Sequence, residues 1–211
     1  MHADAPSLDP EAFVGRYGGV YERSPWVARR TLERGAVPGF LAGPGRGPAG
    51  ELRSTAEARA LGAAMAETLA VACDAEKLAL VLAHPDLVGR AALAGELTAD
   101  SAAEQSSAGL DRCTPEELAR FRAANAAYRE RFGFPFVMAV RGADRAAILA
   151  AFETRLGHAP EVELAAALRE IDRIAALRLE ALVAAPDAPG TSGSGTSEAS
   201  GTPGRDAGAR G

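Results

Sequence analysis

A histidine stands where the chain's pattern calls for an apolar side chain. His84 occurs in the run Leu82-Ala83-His84-Pro85-Asp86-Leu87. Because a residue before proline is pushed out of the α region, a helix should end here, with the imidazole at its carboxyl end. A cation is favoured at that end and an imidazole titrates near neutral pH, so His84 could hold or donate a proton. The alternative is a helix-stop residue that hydrogen-bonds the last carbonyls.

Arg178 interrupts the apolar face of the last predicted helix. The residues of that face recur at helical spacing: Leu164, Leu168, Ile171, Ala175 and Leu182. A buried guanidinium stays charged and requires an anion, so Arg178 could contact an anionic group in an active site. Alternatively, its stem lies along the core while its head reaches solvent or pairs with a local glutamate.

Two further polar features could belong to the same site. Asn125 interrupts the apolar face of a second predicted helix, and we interpret it as a structural amide that ties a neighbouring loop. Ser101 and Glu104 have the spacing of a capping box, which alone explains both residues. The alternative is an anion-binding helix amino terminus, where Gln105 could both donate to and accept from a urea or amide group.

The elements that position these residues are predicted to be helical. Three capping residues each precede a proline, which is favoured at the first helical position: Asp9, Ser24 and Thr114. The predicted helices lie near 10–20, 25–34, 54–72, 75–83, 102–108, 115–132, 143–156 and 161–184. The segment 133–140 has aromatic and β-branched residues and a proline, so it is predicted to be extended or irregular. The fold class is therefore all-α, a single compact domain of about eight helices.

Composition narrows the functions further. The 211 residues are 47% hydrophobic, enough for one sizeable core, and carry a net charge of −5, which argues against nucleic acid and anionic membranes as partners. The longest apolar run is far shorter than the roughly 20 residues of a membrane span. Two cysteines and no recognisable secretory signal predict a reducing, cytoplasmic location. We find no metal-binding, nucleotide-binding or pyridoxal motif, so any enzyme here is expected to need no metal and no cofactor.

The carboxyl-terminal stretch differs from the rest of the chain. Residues 185–211 have no aliphatic side chain larger than alanine and are rich in glycine, serine, threonine and proline. Such a segment cannot bury enough apolar surface to offset its ordering entropy. We therefore predict a helical domain over 8–184 and a disordered tail over 185–211.

In combination, five segments resemble the family of 2-oxo-4-hydroxy-4-carboxy-5-ureidoimidazoline (OHCU) decarboxylases. They are Glu22-Arg23-Ser24-Pro25-Trp26; Ala83-His84-Pro85-Asp86-Leu87; Ser101 to Gln105 with Ala108-Gly109-Leu110-Asp111; Asn125 to Tyr128 with Arg131-Phe132-Gly133-Phe134-Pro135-Phe136; and Ile174 to Leu179. The resemblance spans about Asp9 to Val183. It departs at Arg23, where the family commonly has histidine, and at Ala124, where it commonly has leucine.

The resemblance implies an all-helical fold, usually a homodimer, and a cofactor-free decarboxylation of OHCU to (S)-allantoin, the last step from urate to allantoin. It implies that His84 is the catalytic acid/base and that Glu104 and Arg178 complete the site, with Arg155 as the rival arginine. The implied substrate-binding residues are Pro85, Ser101, Ala102, Ala103, Glu104, Gln105, Phe136, Val137, Met138, Ala139 and Val140.

The chemistry of that substrate fits a protein without a cofactor. Its carboxylated carbon lies beside a ring C=N, which can accept the electron pair that departing CO2 leaves behind. On this hypothesis His84 transfers the proton, and Glu104 holds the imidazole or the substrate hydroxyl. Arg178 or the backbone amides of 101–105 bind the anionic group, and Gln105 with the backbone of 136–140 contacts the ureido and ring amides. The alternatives are a non-catalytic helical module that binds ureides or purines, and a purely structural bundle.

Overall fold

Eight α-helices and three 3₁₀ turns form the described part of the chain, residues 8–89 and 97–184 of this computed structural model. The helices are α1 Pro10–Tyr17, α2 Trp26–Glu33, α3 Thr55–Ala70, α4 Asp74–Leu82, α5 Ala99–Ser107, α6 Pro115–Phe132, α7 Arg145–Arg155 and α8 Pro160–Ala184. The 3₁₀ turns are Gly18–Tyr21, Gly39–Ala42 and Leu110–Arg112. Within these ranges there is no strand, and the predicted all-α class is confirmed. The predicted tail over 185–211 lies outside the described residues.

Side-chain caps fix several helix starts as predicted. Asp9 accepts a hydrogen bond from the backbone N–H of Ala12 at 2.7 Å. Thr114 is a cap as predicted, and it forms a capping box with Glu117 through bonds of 3.2 and 2.9 Å. Each cap satisfies amide groups that the first helical turn leaves without partners.

Two predicted caps are wrong. Pro25 rather than Ser24 is the cap of α2, without a side-chain bond, and Ser24 is buried. The helix predicted from 102 begins at Ala99, because the Thr98 hydroxyl accepts from the amide of Ser101 at 3.3 Å. Ser101 therefore lies inside the first turn, where its own hydroxyl is available to other partners.

The first predicted helix is shorter than expected. It changes to a 3₁₀ turn at Gly18, where a Cβ atom would lie 2.9 Å from Cβ of Pro25. Only glycine permits so close an approach between this turn and the start of α2. The turn carries Tyr21, and the chain then delivers Glu22 to the interior.

The longest helix, α8, organises the remainder of the fold. It packs along α3 and also against α4 and the 3₁₀ turn Gly18–Tyr21, while α6 packs on α7. The core is continuous and includes an aromatic group: Tyr128, Phe132, Phe134, Phe136 and Phe152. None of the helices in the described ranges is both long and apolar enough to cross a membrane.

The segment 133–140 is irregular, as predicted, yet most of it is buried. Gly133 ends α6 in the left-handed region at φ 78°. Beyond it, the amide of Ala139 donates to Glu170 at 2.8 Å, and the carbonyl of Val137 accepts from Arg155 at 2.7 Å. These bonds replace the ladder that a strand would supply and hold the segment against α7 and α8.

Candidate active site

A pocket lies where the end of α4, the start of α5, the irregular segment 133–140 and the middle of α8 meet. Its volume is about 350 Å³, including the part that is open to solvent. The lining residues are His84, Pro85, Leu87, Ser101, Glu104, Gln105, Phe136, Val137, Met138, Val140, Ile174 and Arg178. A few polar groups converge in a largely apolar cleft of a size that suits a small molecule.

His84 presents one ring nitrogen without a protein partner. Its Nδ1 lies 2.9 Å from the carbonyl of Leu80, and because a carbonyl can only accept, Nδ1 carries the hydrogen. Nε2 is buried and has no hydrogen-bond partner among the described residues. Burial lowers the pKa of His84, opposed by the Leu80 hydrogen bond and the negative charge of Glu22. In the neutral ring the lone pair is therefore on Nε2, and His84 is one of the residues that line the pocket.

Arg178 is surrounded by two carboxylates and a hydroxyl. Its Nε and NH2 bind the two oxygens of Glu104 at 2.9 and 2.8 Å, and NH1 binds Glu22 at 2.9 Å. NH2 also donates to the hydroxyl of Ser101 at 3.2 Å. Burial by itself would lower the pKa of Arg178, but the bonds and charges of Glu104 and Glu22 raise it. The guanidinium is therefore always charged and fully bonded.

This geometry corrects two expectations about anion binding. Arg178 neither reaches solvent nor pairs with a local glutamate, and its donors are already engaged by the protein. The amides of Ser101 and Ala102 are also taken, because both donate to Thr98. Neither group is free to clamp an anion. The arrangement orients Glu104 and Ser101 at the edge of the pocket instead.

The loop after His84 is fastened from two helices. Asn125 on α6 donates to the carbonyl of Leu87 at 2.7 Å, which confirms it as a structural amide that ties a neighbouring loop. Gln105 on α5 accepts from the amide of Val88 at 3.0 Å. Val88 has φ 53°, which a β-branched residue rarely adopts, so these bonds hold a strained backbone. The bond to Val88 also holds the Gln105 side chain in a fixed orientation at the pocket wall.

The opposite wall of the pocket is held by Arg155, the rival arginine. It donates to Glu163 and to the carbonyl of Val137, and its guanidinium lies 4.5 Å from the ring centroid of Phe136. Arg155 does not line the pocket itself. It therefore acts on the site only through the segment that it supports.

Comparison with known proteins shows the family of this chain. A family model described as OHCU decarboxylase matches residues 6–180. The chain belongs to the OHCU decarboxylase family. The resemblance inferred from the five sequence segments is thereby confirmed.

Two relatives match over most of their own length. The 2-oxo-4-hydroxy-4-carboxy-5-ureidoimidazoline decarboxylase of Halalkalicoccus jeotgali is 39% identical over 87% of this chain and 92% of its own. The enzyme of the same name from Haloferax volcanii is 42% identical over 82% of this chain and 89% of its own. A crystal structure of (S)-allantoin synthase superposes with a TM-score of 0.60 and 30% identity over 85% of this chain, which spans only 53% of that longer chain.

Most of the residues implied by the OHCU decarboxylase resemblance meet at this one pocket. Those that line it are His84, Pro85, Ser101, Glu104, Gln105, Phe136, Val137, Met138, Val140 and Arg178. Ala102 and Ala103 are exposed on α5, and Ala139 is buried with its amide turned to Glu170, so these three do not line it.

Sequence reasoning missed the role of Glu22 and the lining residues Leu87 and Ile174. Glu22 was noted only as part of a motif. A carboxylate directly after the apolar pair Val20 and Tyr21 was the signal that could have marked it as buried.

Proposed function

We propose that this chain catalyses the cofactor-independent decarboxylation of OHCU to (S)-allantoin and CO2, the last step of urate conversion to allantoin. The observation that carries the proposal is the buried Nε2 of His84, which has no partner among the described residues. His84 lines the same pocket as Glu104, and the chain belongs to the OHCU decarboxylase family. An unpaired buried nitrogen is costly unless a ligand or water completes it.

The reaction consumes one proton for each CO2 released. The bond between the ring carbon and its carboxylate breaks, CO2 leaves, and the electron pair moves toward the neighbouring ring C=N. One proton, supplied ultimately by solvent, is then added to the ring and balances the negative charge of the lost carboxylate. His84 is the group that moves this proton through Nε2, since Nδ1–H stays bonded to Leu80. A fixed ring delivers the proton to one face of the product, which accounts for a single enantiomer.

The remaining polar residues orient the substrate. Glu104, held by Arg178 through two hydrogen bonds, accepts from the substrate hydroxyl or ring N–H. The NH2 group of Gln105 donates to the ureido carbonyl. Among the described residues that line the pocket, Arg178 is the one permanent cation, and its donors are engaged. A substrate carboxylate is therefore not stabilised by an ion pair, and this favours its departure as neutral CO2.

The proposed assembly is based on the family resemblance, and the proposed location is based on the sequence. The protein works as a homodimer in the cytoplasm, as a domain over 8–184 followed by a tail. Size-exclusion chromatography with light scattering tests the dimer directly.

The test of function follows the handedness of the product. OHCU is generated in place from urate by the two preceding enzymes, and circular dichroism at allantoin wavelengths is recorded with and without this protein. Wild type should give a rapid (S)-allantoin signal, and His84→Asn should reduce the rate by about 10²–10⁴-fold while remaining folded. Slow decay to racemic allantoin with folded wild-type protein would contradict the proposal and favour a ureide-binding module.

A further inference from the structure

Glu22 is a buried carboxylate in contact with the site but outside the pocket lining. It is 5% exposed, and its Oε2 accepts from NH1 of Arg178 and from the Ser101 hydroxyl, both at 2.9 Å. Its Oε1 accepts from the hydroxyl of Thr98 at 2.9 Å. Three donors from α5, its cap and α8 converge on this one side chain. These bonds fix the position of the carboxylate, and the carboxylate in turn orients Arg178, Ser101 and Thr98.

The backbone conformation of Glu22 also indicates that specific contacts determine its position. Its φ is 54° and its ψ is −129°, a region that residues with a side chain rarely adopt. Such strain persists only where surrounding contacts over-determine the conformation. Here the three hydrogen bonds of the carboxylate supply those contacts.

Glu22 completes the coordination of Arg178. Nε and NH2 of Arg178 face Glu104, while NH1 faces Glu22. Two carboxylates on adjacent sides define the guanidinium plane, and that plane in turn sets the angle of Glu104 at the pocket. Without Glu22, NH1 would lose its anionic partner and the guanidinium could rotate.

Glu22 also leaves the cluster with an uncompensated charge. Glu22 and Glu104 contribute −2 and Arg178 contributes +1, so the fixed charge that faces His84 is −1. The charges of these three groups act on the imidazole from the segment before α2, from α5 and from α8, while the carbonyl of Leu80 on α4 binds Nδ1 directly. The net negative charge favours a proton on His84 against the effect of burial.

We propose that Glu22 is a positioning residue for the decarboxylation: it locks Arg178 against Glu104 and supplies the negative charge against which His84 takes its proton. This inference rests on the proposed function for its kinetic consequences. Its effect on the protonation of His84 can be measured without any reaction.

The kinetic experiment compares Glu22→Gln with Asp172→Asn. Asp172, on α8, is another carboxylate and is partly buried, but it accepts from the hydroxyl of Tyr21 at 2.7 Å, outside the cluster. Glu22→Gln should lower kcat by about 10- to 100-fold with KM within about threefold, because a misplaced catalytic group costs rate more than affinity. The pH profile of kcat/KM should move to lower pH by about half to one unit. Asp172→Asn should leave the profile in place, and Glu22→Asp should restore part of it.

The second experiment titrates His84 by ¹H NMR in the full-length protein without substrate. The chain has three histidines, so a His84→Asn sample assigns the resonance. Glu22→Gln should lower the titration midpoint of His84 relative to wild type and to Asp172→Asn. A midpoint that is unchanged, or an imidazole that stays neutral in both proteins until they unfold, would overturn the inference, as would an unchanged kcat/KM profile in folded Glu22→Gln. Absence of an allantoin signal from wild type would instead count against the proposed function, and the titration would still decide the role of Glu22.

Discussion

Two buried arginines, Arg155 and Arg178, show how similar local chemistry is used for different ends. Arg155 meets one carboxylate, that of Glu163, which is fully buried and also bonded by the hydroxyl of Tyr128. The other oxygen of Glu163 lies 2.7 Å from Nδ1 of His158, and NH1 of Arg155 donates to the carbonyl of Val137. The polar side chains of this network are bonded to one another, and none of them lines the pocket.

Arg178 is paired differently. It meets two carboxylates, and beside the cluster lies an imidazole nitrogen without a partner among the described residues. A surplus buried charge and an unpartnered buried nitrogen both lower the free energy of unfolding, so neither is expected where a network serves stability alone. The comparison indicates that the Arg155 network, away from the pocket, serves the structure, and that the Arg178 network, beside the unpartnered nitrogen of His84, serves the chemistry.

The largest expected effect tests whether the Arg155 network serves stability. Glu163→Gln removes the only charge that compensates Arg155 in its network and leaves a buried guanidinium unpaired. We expect a loss of about 3–5 kcal/mol in the free energy of unfolding, measured by urea denaturation. The pH dependence of the rate, measured on the folded fraction, should stay that of wild type. A stable Glu163→Gln with an altered pH profile would reverse the assignment of the two networks.

The sequence predicted more of the fold than of these pairings. Helix positions follow from local periodicity and caps, and the eight predicted helices correspond to α1–α8 within a few residues. Arg178, however, binds Glu22, which lies 156 residues away, and nothing local indicates that contact. Arg155 binds Glu163 only eight residues on.

The same limit explains the errors at the start of α5. Ser101 and Glu104 have the spacing of a cap, and the local pattern alone favours that interpretation. Tertiary partners decide otherwise, since Thr98 takes the capping position and Arg178 takes Glu104.

The second-largest expected effect tests whether the Arg178 network serves the chemistry. Arg178→Lys keeps the positive charge but cannot hold Glu104 and Glu22 together, because an ammonium lacks the planar fork. We expect kcat to fall by about 100-fold, which is about 2.7 kcal/mol of activation free energy. The rate of (S)-allantoin formation measures it.

Arg155→Lys is the matched control for that change. It should lower the urea midpoint but reduce kcat by less than tenfold, since Arg155 reaches the pocket only through the segment 133–140. If both lysine variants lose the same factor in kcat, the two networks do not differ in the way described above.

The smallest effect comes from a third arginine–glutamate pair, which gives a baseline for ion pairs outside the site. Hydrogen bonds from Arg46 lower the pKa of Glu57 to about 2. Because the folded pKa lies below the unfolded one, the stabilisation is present above about pH 4.5 and is lost as the pH falls toward 2.

Glu57→Gln should therefore cost no more than about 1 kcal/mol at pH 7. Urea denaturation from pH 7 to pH 3 should show the difference from wild type shrinking as the solution becomes more acidic. Activity at pH 7 should not change. A difference that grows toward pH 3 would contradict the origin given for this pair.

The single helix α8 carries both networks, with Glu163 near its start and Arg178 fifteen residues further on. That spacing corresponds to about 22 Å along the axis and a turn of about 60° beyond four full rotations. One inserted or deleted residue would swing the distal end by about 100° and take Arg178 off the buried side. Point substitutions between the two positions can be absorbed one at a time. A change in the number of residues there would disconnect the site from its support in a single step, so the site depends more on the length of this stretch than on its side chains.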